Sequence, residues 1–387
     1  MSEGDAAIEV RVVERIAEID RSDWDACAGK DNPFLSHDFL DALEQSLSVA
    51  ADEGWLPRHL AAYDAEGKLA AAAPLYLKGH SQGEYVFDHS WAHAWERAGG
   101  KYYPKLLSAV PFTPVTGHRL LVRDAAERPQ YEAALASAML KLVENSGVAT
   151  LHVNFLTGDE AASLETFGFL RRTGQQYHWR NEGYRTFQDF LDALSSRKRK
   201  NIRKERQAVA DQGVVMHVLT GSDLKTSHWD AFYEFYRNTT DRKWGWDYLK
   251  RPFFSLLHQR MADRVALVMA EYDGEWVAGA LNLIGADTLY GRNWGCVARF
   301  KNLHFEACYY QAIEFAIERG LARVEAGAQG QHKIQRGYLP VETHSAHYIA
   351  DPNFRRAVAD FLDRERRAVG EEISFLEELS PFKKAQS

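Results

Sequence analysis

Followed along its apolar and polar positions, the chain runs through one succession of elements twice. In the first half "HLAAYDAEGKLAAAAPLYLKG", residues 59–79, alternates as two strands about a turn at Glu66-Gly67, and "GEYVFDHSWAHA", 83–94, predicts a third strand. After an irregular segment containing "KYYPKLLSAVPFTPVTG", the pattern predicts a helix over 131–147 and a strand over 148–156. In the second half, residues 264–296 again read as strands about a turn, here Asp273-Gly274. Phe305, Tyr309, Ile313 and Ala316 then recur at helical spacing within 303–320, with Gly320 placed as a C-terminal cap, and "LARVEAGA", 321–328, predicts a strand.

Between the halves, residues 195–213 predict a helix started by Ser195 or Ser196 and ended by Gly213. Only Ile202, Ala208 and Val209 offer it an apolar stripe, so most of its surface is expected to be wet. A long amphipathic helix over 353–379 carries Phe354, Val358, Phe361 and Leu362. The expected fold is α/β with mixed sheets (α+β), arranged as a domain over 1–185, a second copy over 186–350 and a C-terminal helix over 351–387.

Composition narrows the function without naming it. A length of 387 residues allows two or three cores, and 45% apolar with 26% charged residues is ordinary for a globular protein. The 10 Trp, 17 Tyr and 20 Phe argue for large cores or aromatic-lined clefts and against disorder. A net charge of −7 gives no global attraction to nucleic acid or anionic membrane. Cys27, Cys296 and Cys308 are scattered, with no CxxC pair, so neither a disulfide framework nor a zinc knuckle is indicated. No apolar run reaches the length of a membrane span and the N-terminus has no apolar signal region; a reduced, cytoplasmic protein is expected. No GxSxG elbow, Walker loop, dinucleotide fingerprint or HExxH occurs.

Several stretches carry a resemblance when taken together. "LYGRNWGC", "LHFEACYYQAIEFAIERGL", "GAQGQHKIQRGY" and "THSAHYI" resemble the FemAB-like family of bacterial proteins, as do "NPFLSHDFLDALE" (32–44) and "SSRKRKNIRKE" (195–205). The resemblance implies two tandem GNAT-like domains and an N-acyltransferase that moves an acyl or aminoacyl group to an amine, peptidoglycan-related or another small molecule. It implies acyl-CoA or aminoacyl-tRNA as co-substrate and no tightly bound cofactor, with the donor cleft on the second copy. One feature departs from the pattern. A GNAT pyrophosphate loop usually has Arg or Gln, two residues, then Gly-x-Gly or Gly-x-Ala, where this chain reads "CVARFKNLHFE". The alternative is a non-catalytic module that recognises a cell-wall fragment or a phosphorylated ligand.

N-acyl transfer needs a base for the amine, polarisation of the carbonyl and a proton for the leaving group. Glu325 falls at a strand end, where the resemblance places the cleft floor; it is either the base or a salt-bridged strand-end carboxylate. Gly327 and Gly330 let backbone approach a ligand, or simply turn the chain. His304 and Glu306 open the helix at 303–320, where a donor's charge or the helix's own amides would be served. His332, Lys333 and Arg336 would hold a phosphate, carboxylate or oxyanion, or stand as solvated loop charges. Arg292, Asn293 and Trp294 sit at the end of "TLYGRNWG", with Trp244 and Trp246 as further aromatic candidates. Asp88, Tyr102 and Tyr103 are their counterpart on the acceptor side of the first copy. The basic run containing Arg199 and Arg203 is either a phosphate grip or a wet helix face. No RNP-like motif points to tRNA in particular. His332, His344 and His347 have no carboxylate or thiol at ligand spacing, so no metal is assigned.

Overall fold

The computed structural model describes residues 8–243, 247–327 and 330–383. Trp244 and Trp246 lie outside the described residues. The chain divides into two compact units, Met1–Gly174 with Glu342–Gly370, and Gln175–Val341 with Glu371–Ser387.

The second unit shows the order of elements most plainly. Strands Val215–Leu219, Val265–Tyr272, Glu275–Ile284 and Thr288–Cys296 pair antiparallel in succession. Arg323–Glu325 then lies parallel to Thr288–Cys296, and residues 178–180 pair antiparallel with it. Helices Thr226–Lys243 and Arg251–Met261 join the first two strands, and a helix over 303–318 joins the parallel pair.

The first unit repeats this plan. Glu9–Val13, His59–Tyr63 and Leu69–Ala73 pair antiparallel, and Tyr76–Lys78 pairs with Lys105–Ser108. Lys105–Ser108 lies parallel to Thr150–Leu156, which residues 344–349 flank antiparallel. Helices Arg21–Ala28 and His37–Gln45 fall between its first strands, and Arg128–Ser146 joins its parallel pair. The order of elements read from the sequence is therefore present in both units, although the first divides its strands between two sheets where the second keeps them in one.

Sequence boundaries at 185 and 350 differ from the division the backbone makes. Residues 344–349 come late in the chain but hydrogen-bond along Thr150–Leu156, while residues 178–180, from the end of strand Leu170–Arg180, serve Arg323–Glu325. Each parallel pair is thus flanked by a strand that sequence order assigns to the other copy. The long helix Pro352–Glu378 is likewise shared out: Val358 and Leu362 pack with Trp91, Tyr102 and Ile349, whereas Leu376 enters the core of the second unit.

One expected strand is corrected. Residues 83–94 form no strand; His89–Arg97 is a helix. Trp91 and Trp95, four apart, turn one helical face toward Phe354 and Phe361; a spacing of four shares a face in a strand as well, so the pattern alone did not decide between helix and strand. The strand over 321–328 is also short, Arg323–Glu325.

Packing in the second unit holds its central strands in place from both sides. Leu289, Val324 and Trp179 pack with Ile313, Ala316 and Tyr309 of the helix over 303–318. On Gly295, a Cβ would stand 2.1 Å from the Phe235 carbonyl oxygen, so helix Thr226–Lys243 lies backbone to backbone on strand Thr288–Cys296. Glycine is required there by contact distance.

Candidate active site

The parallel strands of the second unit stay in register only over Thr288–Arg323, Leu289–Val324 and Tyr290–Glu325. Beyond that point Thr288–Cys296 continues, held on its other edge by Glu275–Ile284, while its parallel neighbour has ended. A β-bulge sets Gly291 opposite Asn282 and Asn293 opposite Leu281, making Arg292 the extra residue. At Gly291 a Cβ would come within 3.3 Å of the Glu325 carbonyl oxygen, so the absence of a side chain keeps the backbone open where the strands part.

A cavity of about 90 Å³ lies here, lined by Asn282, Arg292, Asn293, Trp294, His304, Cys308, Tyr309 and Ala326 among others. Four residues expected at the site, Arg292, Asn293, Trp294 and His304, are thus brought together. The helix that supplies His304 contains a π-helical turn, Glu306–Tyr310, and this turn carries Cys308 and Tyr309 to the cavity. The Tyr309 hydroxyl is 2.9 Å from His332 Nε2. Burial pushes the Tyr309 phenol above its usual range, so it is a neutral donor at neutral pH.

Glu325 is buried, 6% exposed, and its Oε2 has no hydrogen-bond partner among the described residues. Desolvation raises its pKa to about 7, against the opposing pull of Arg323 and Arg292. Its Oε1 lies 3.9 Å from His178 Nε2 on the flanking strand, and that nitrogen is 3.2 Å from Gln176 Oε1. Burial, together with Arg323 and Arg180, lowers His178 to about 3, so the imidazole is neutral. Its Nε2 then carries the hydrogen, because an amide oxygen can only accept.

The strand-end loop is engaged with itself. Lys333 is buried and donates from Nζ to the Gly327 carbonyl at 2.8 Å; desolvation lowers it to about 8. Gly327 and Gly330 both have positive φ, +79° and +112°, the conformation glycine permits. Arg336 donates to Glu205 at 2.8 Å and to the His332 carbonyl, and lies 3.4 Å over the Phe305 ring. Glu306 is buried and accepts from Arg206 at 3.2 Å and from Gln311 at 2.8 Å. Arg336 and Glu306 therefore fix helix Ser196–Ala210 to the helix over 303–318, a structural use. Arg199 pairs with Asp192 at 2.8 Å and Arg203 with Gln188 at 2.9 Å, tying the basic helix to Phe187–Ala193.

Asp88, Tyr102 and Tyr103 lie in the first unit, around Lys105. The Lys105 ammonium is fully buried and donates to Ser81 at 2.7 Å, Glu84 at 2.8 Å and Asp88. Tyr102 donates to Asp88 at 2.7 Å and Tyr103 bonds Ser81 at 2.8 Å. Burial raises Glu84 to about 7 despite Lys105; for Asp88 the burial cost is outweighed by Lys105 and His152, which hold it below the carboxylate range. In this unit Leu106, Leu151, Val153 and Ala346 face helix Arg128–Ser146. On the opposite face of the sheet, His152 and His347 pair across the strands with Nδ1 atoms 2.7 Å apart. They occupy the face that Glu325 and His178 occupy in the second unit. The strand-end opening differs, since Gly117 N–H donates to the Phe155 carbonyl at 3.0 Å and ties the following loop there.

Sequence reasoning missed His178, Asn282, Cys308 and Tyr309. Cys308 and Tyr309 lie in the predicted helix and were legible as neighbours of His304. His178 gave no local signal, because its partner strand is remote in sequence.

The chain is similar in fold to FemX, with 11% identity over 88% of this chain and 98% of that one, at a TM-score of 0.55. It is similar to L-PGS from Bacillus licheniformis, with 11% identity over 87% and 98% and a TM-score of 0.51. The C-terminal domain of a putative lysylphosphatidylglycerol synthetase from Agrobacterium fabrum gives 10% identity over 89% and 96%, with a TM-score of 0.55. No curated protein matches the sequence. The fold is a pair of mixed α/β units with a C-terminal helix. The chain belongs to the FemAB-like family, described as peptidoglycan biosynthesis/recognition, whose family model matches residues 15–384. No described helix is long and apolar enough to cross a membrane.

Proposed function

We propose that the second unit transfers an acyl or aminoacyl group to an amine, with Glu325 as the base. The observation that carries this reading is the buried carboxylate itself: Glu325, with Oε2 unbonded, ends the shorter of two parallel strands just where they part beside a cavity. A carboxylate with a pKa of about 7 is matched to taking a proton from an amine near neutrality. The amine nitrogen, freed of that proton, bonds the donor's carbonyl carbon. The bond to the leaving sulfur or oxygen then breaks, and Tyr309 is the neutral hydroxyl on hand to protonate it. The donor is an acyl-CoA or an aminoacyl-tRNA, and the acceptor a cell-wall precursor or another small amine, in keeping with the family and with the likeness to FemX.

One observation favours the second reading, recognition without turnover. Three amides at and before the start of the helix over 303–318 are engaged: Val297 N–H to Val277, Lys301 N–H to Gln212 and Leu303 N–H to Phe300. A glycine-rich phosphate cradle would leave such groups free. The test is thermal stability of the full chain with acyl-CoAs, aminoacyl-tRNA and muropeptides, followed by mass spectrometry for acylated amine. Stabilisation by a donor with product formed supports transfer; stabilisation by muropeptide alone, with no product, supports recognition.

A further inference from the structure

We propose that a cavity of about 330 Å³ beside His178 is the acceptor pocket of the second unit and takes a primary amine on a short chain. The assignment rests on the transfer reading above and gives it a substrate class. The pocket is lined by His178, Arg180, Glu182, Tyr184, Glu377 and Phe382, with four further residues. Its volume lies at the lower end of the roughly 300–1,000 Å³ typical of small-molecule sites. Two carboxylates against one guanidinium leave its wall with an excess of negative charge, which draws a cation. Tyr184 and Phe382 supply apolar surface for a hydrocarbon stem.

Position argues most strongly. His178 belongs both to this wall and, at 3.9 Å, to the surroundings of Glu325 Oε1. Strand alternation sets His178 and Arg180 on one face, so the wall and the carboxylate share that face. An ammonium entering here gives one proton to Glu325 Oε1 past His178, whose own hydrogen stays with Gln176. The amine becomes neutral, the imidazole ends neutral and Glu325 ends protonated. The nitrogen–carbon bond then forms as the donor's carbonyl carbon loses its leaving group, and the nitrogen's second proton goes to that leaving sulfur or oxygen.

The test is calorimetric titration of the full chain with cadaverine, with n-pentanol as the uncharged control. The exposed pair Glu182→Gln/Glu377→Gln should weaken cadaverine binding by at least about ten-fold. Val341→Trp, which fills the cavity, should abolish it. Absence of cadaverine binding to the wild type, or binding at wild-type affinity by both the double variant and Val341→Trp, would overturn the assignment. If these binding changes appear and no donor yields product, the pocket stands and the transfer reading falls. If product forms and the KM for the amine stays at its wild-type value in both pocket variants, transfer stands and the pocket falls.

Discussion

Glu325 and His178 face each other across an antiparallel ladder, Oε1 to Nε2 at 3.9 Å, although sequence order assigns their strands to different copies. The buried carboxylate has a neutral ring beside it, which neither discharges it nor hydrogen-bonds it firmly, so burial governs its proton affinity.

Replacing Glu325 with Gln removes the proposed base and preserves shape. Turnover should fall by about 10²–10⁴-fold with donor affinity unchanged, read from kcat and from donor titration. Unchanged turnover would end its candidacy.

The pH profile should report the same group. With a pKa of about 7, Glu325 is competent as a base only when ionised, so kcat/KM should rise with pH and level off above about 7. The Gln variant should lose that limb.

Stability should move the opposite way. Between the usual carboxylate value and about 7 the folded chain holds a proton on Glu325 that the unfolded chain has released. Protein stability therefore falls as pH rises through this window, and the loss is complete above about 7. Glu325→Gln should accordingly be more stable than wild type at pH 8, by on the order of 2–3 kcal/mol, and closer to it at pH 4.5. Denaturant titration at the two values measures the difference.

In the first unit, Lys105→Met should destabilise the fold by about 3–5 kcal/mol, because Glu84 and Asp88 would lose the buried cation they share. Urea unfolding gives the number. A change within experimental scatter would mean that water reaches these carboxylates.

Gly295→Ala tests the backbone contact under the site. A methyl group directed at the Phe235 carbonyl must push helix Thr226–Lys243 outward, costing at least about 1–3 kcal/mol. Wild-type stability in that variant would show that the helix yields without loss.

Local order was legible because it depends on neighbours in the chain. Apolar spacing at Phe305, Tyr309, Ile313 and Ala316 was enough for the helix over 303–318, and the paired order of strands revealed the duplication. The same reasoning mistook 83–94 for a strand, since Trp91 and Trp95 declare a helical face only once Phe354 and Phe361 stand opposite. Glu325, Arg292, Asn293, Trp294 and His304 could be nominated from strand-end and helix-start positions. The fates of Glu306 and Arg336 could not, because Arg206 and Glu205 reach them from a separate helix.

The sequence by itself determined two copies of one unit and nominated the strand end proposed for the chemistry, since periodicity and turn residues act over a few positions. Tertiary structure alone decided which strand flanks each parallel pair, which charges are consumed in packing and that Glu325 is desolvated beside His178. Those outcomes depend on hydrogen bonds and burial between segments far apart in the chain, and no local pattern encodes the partner.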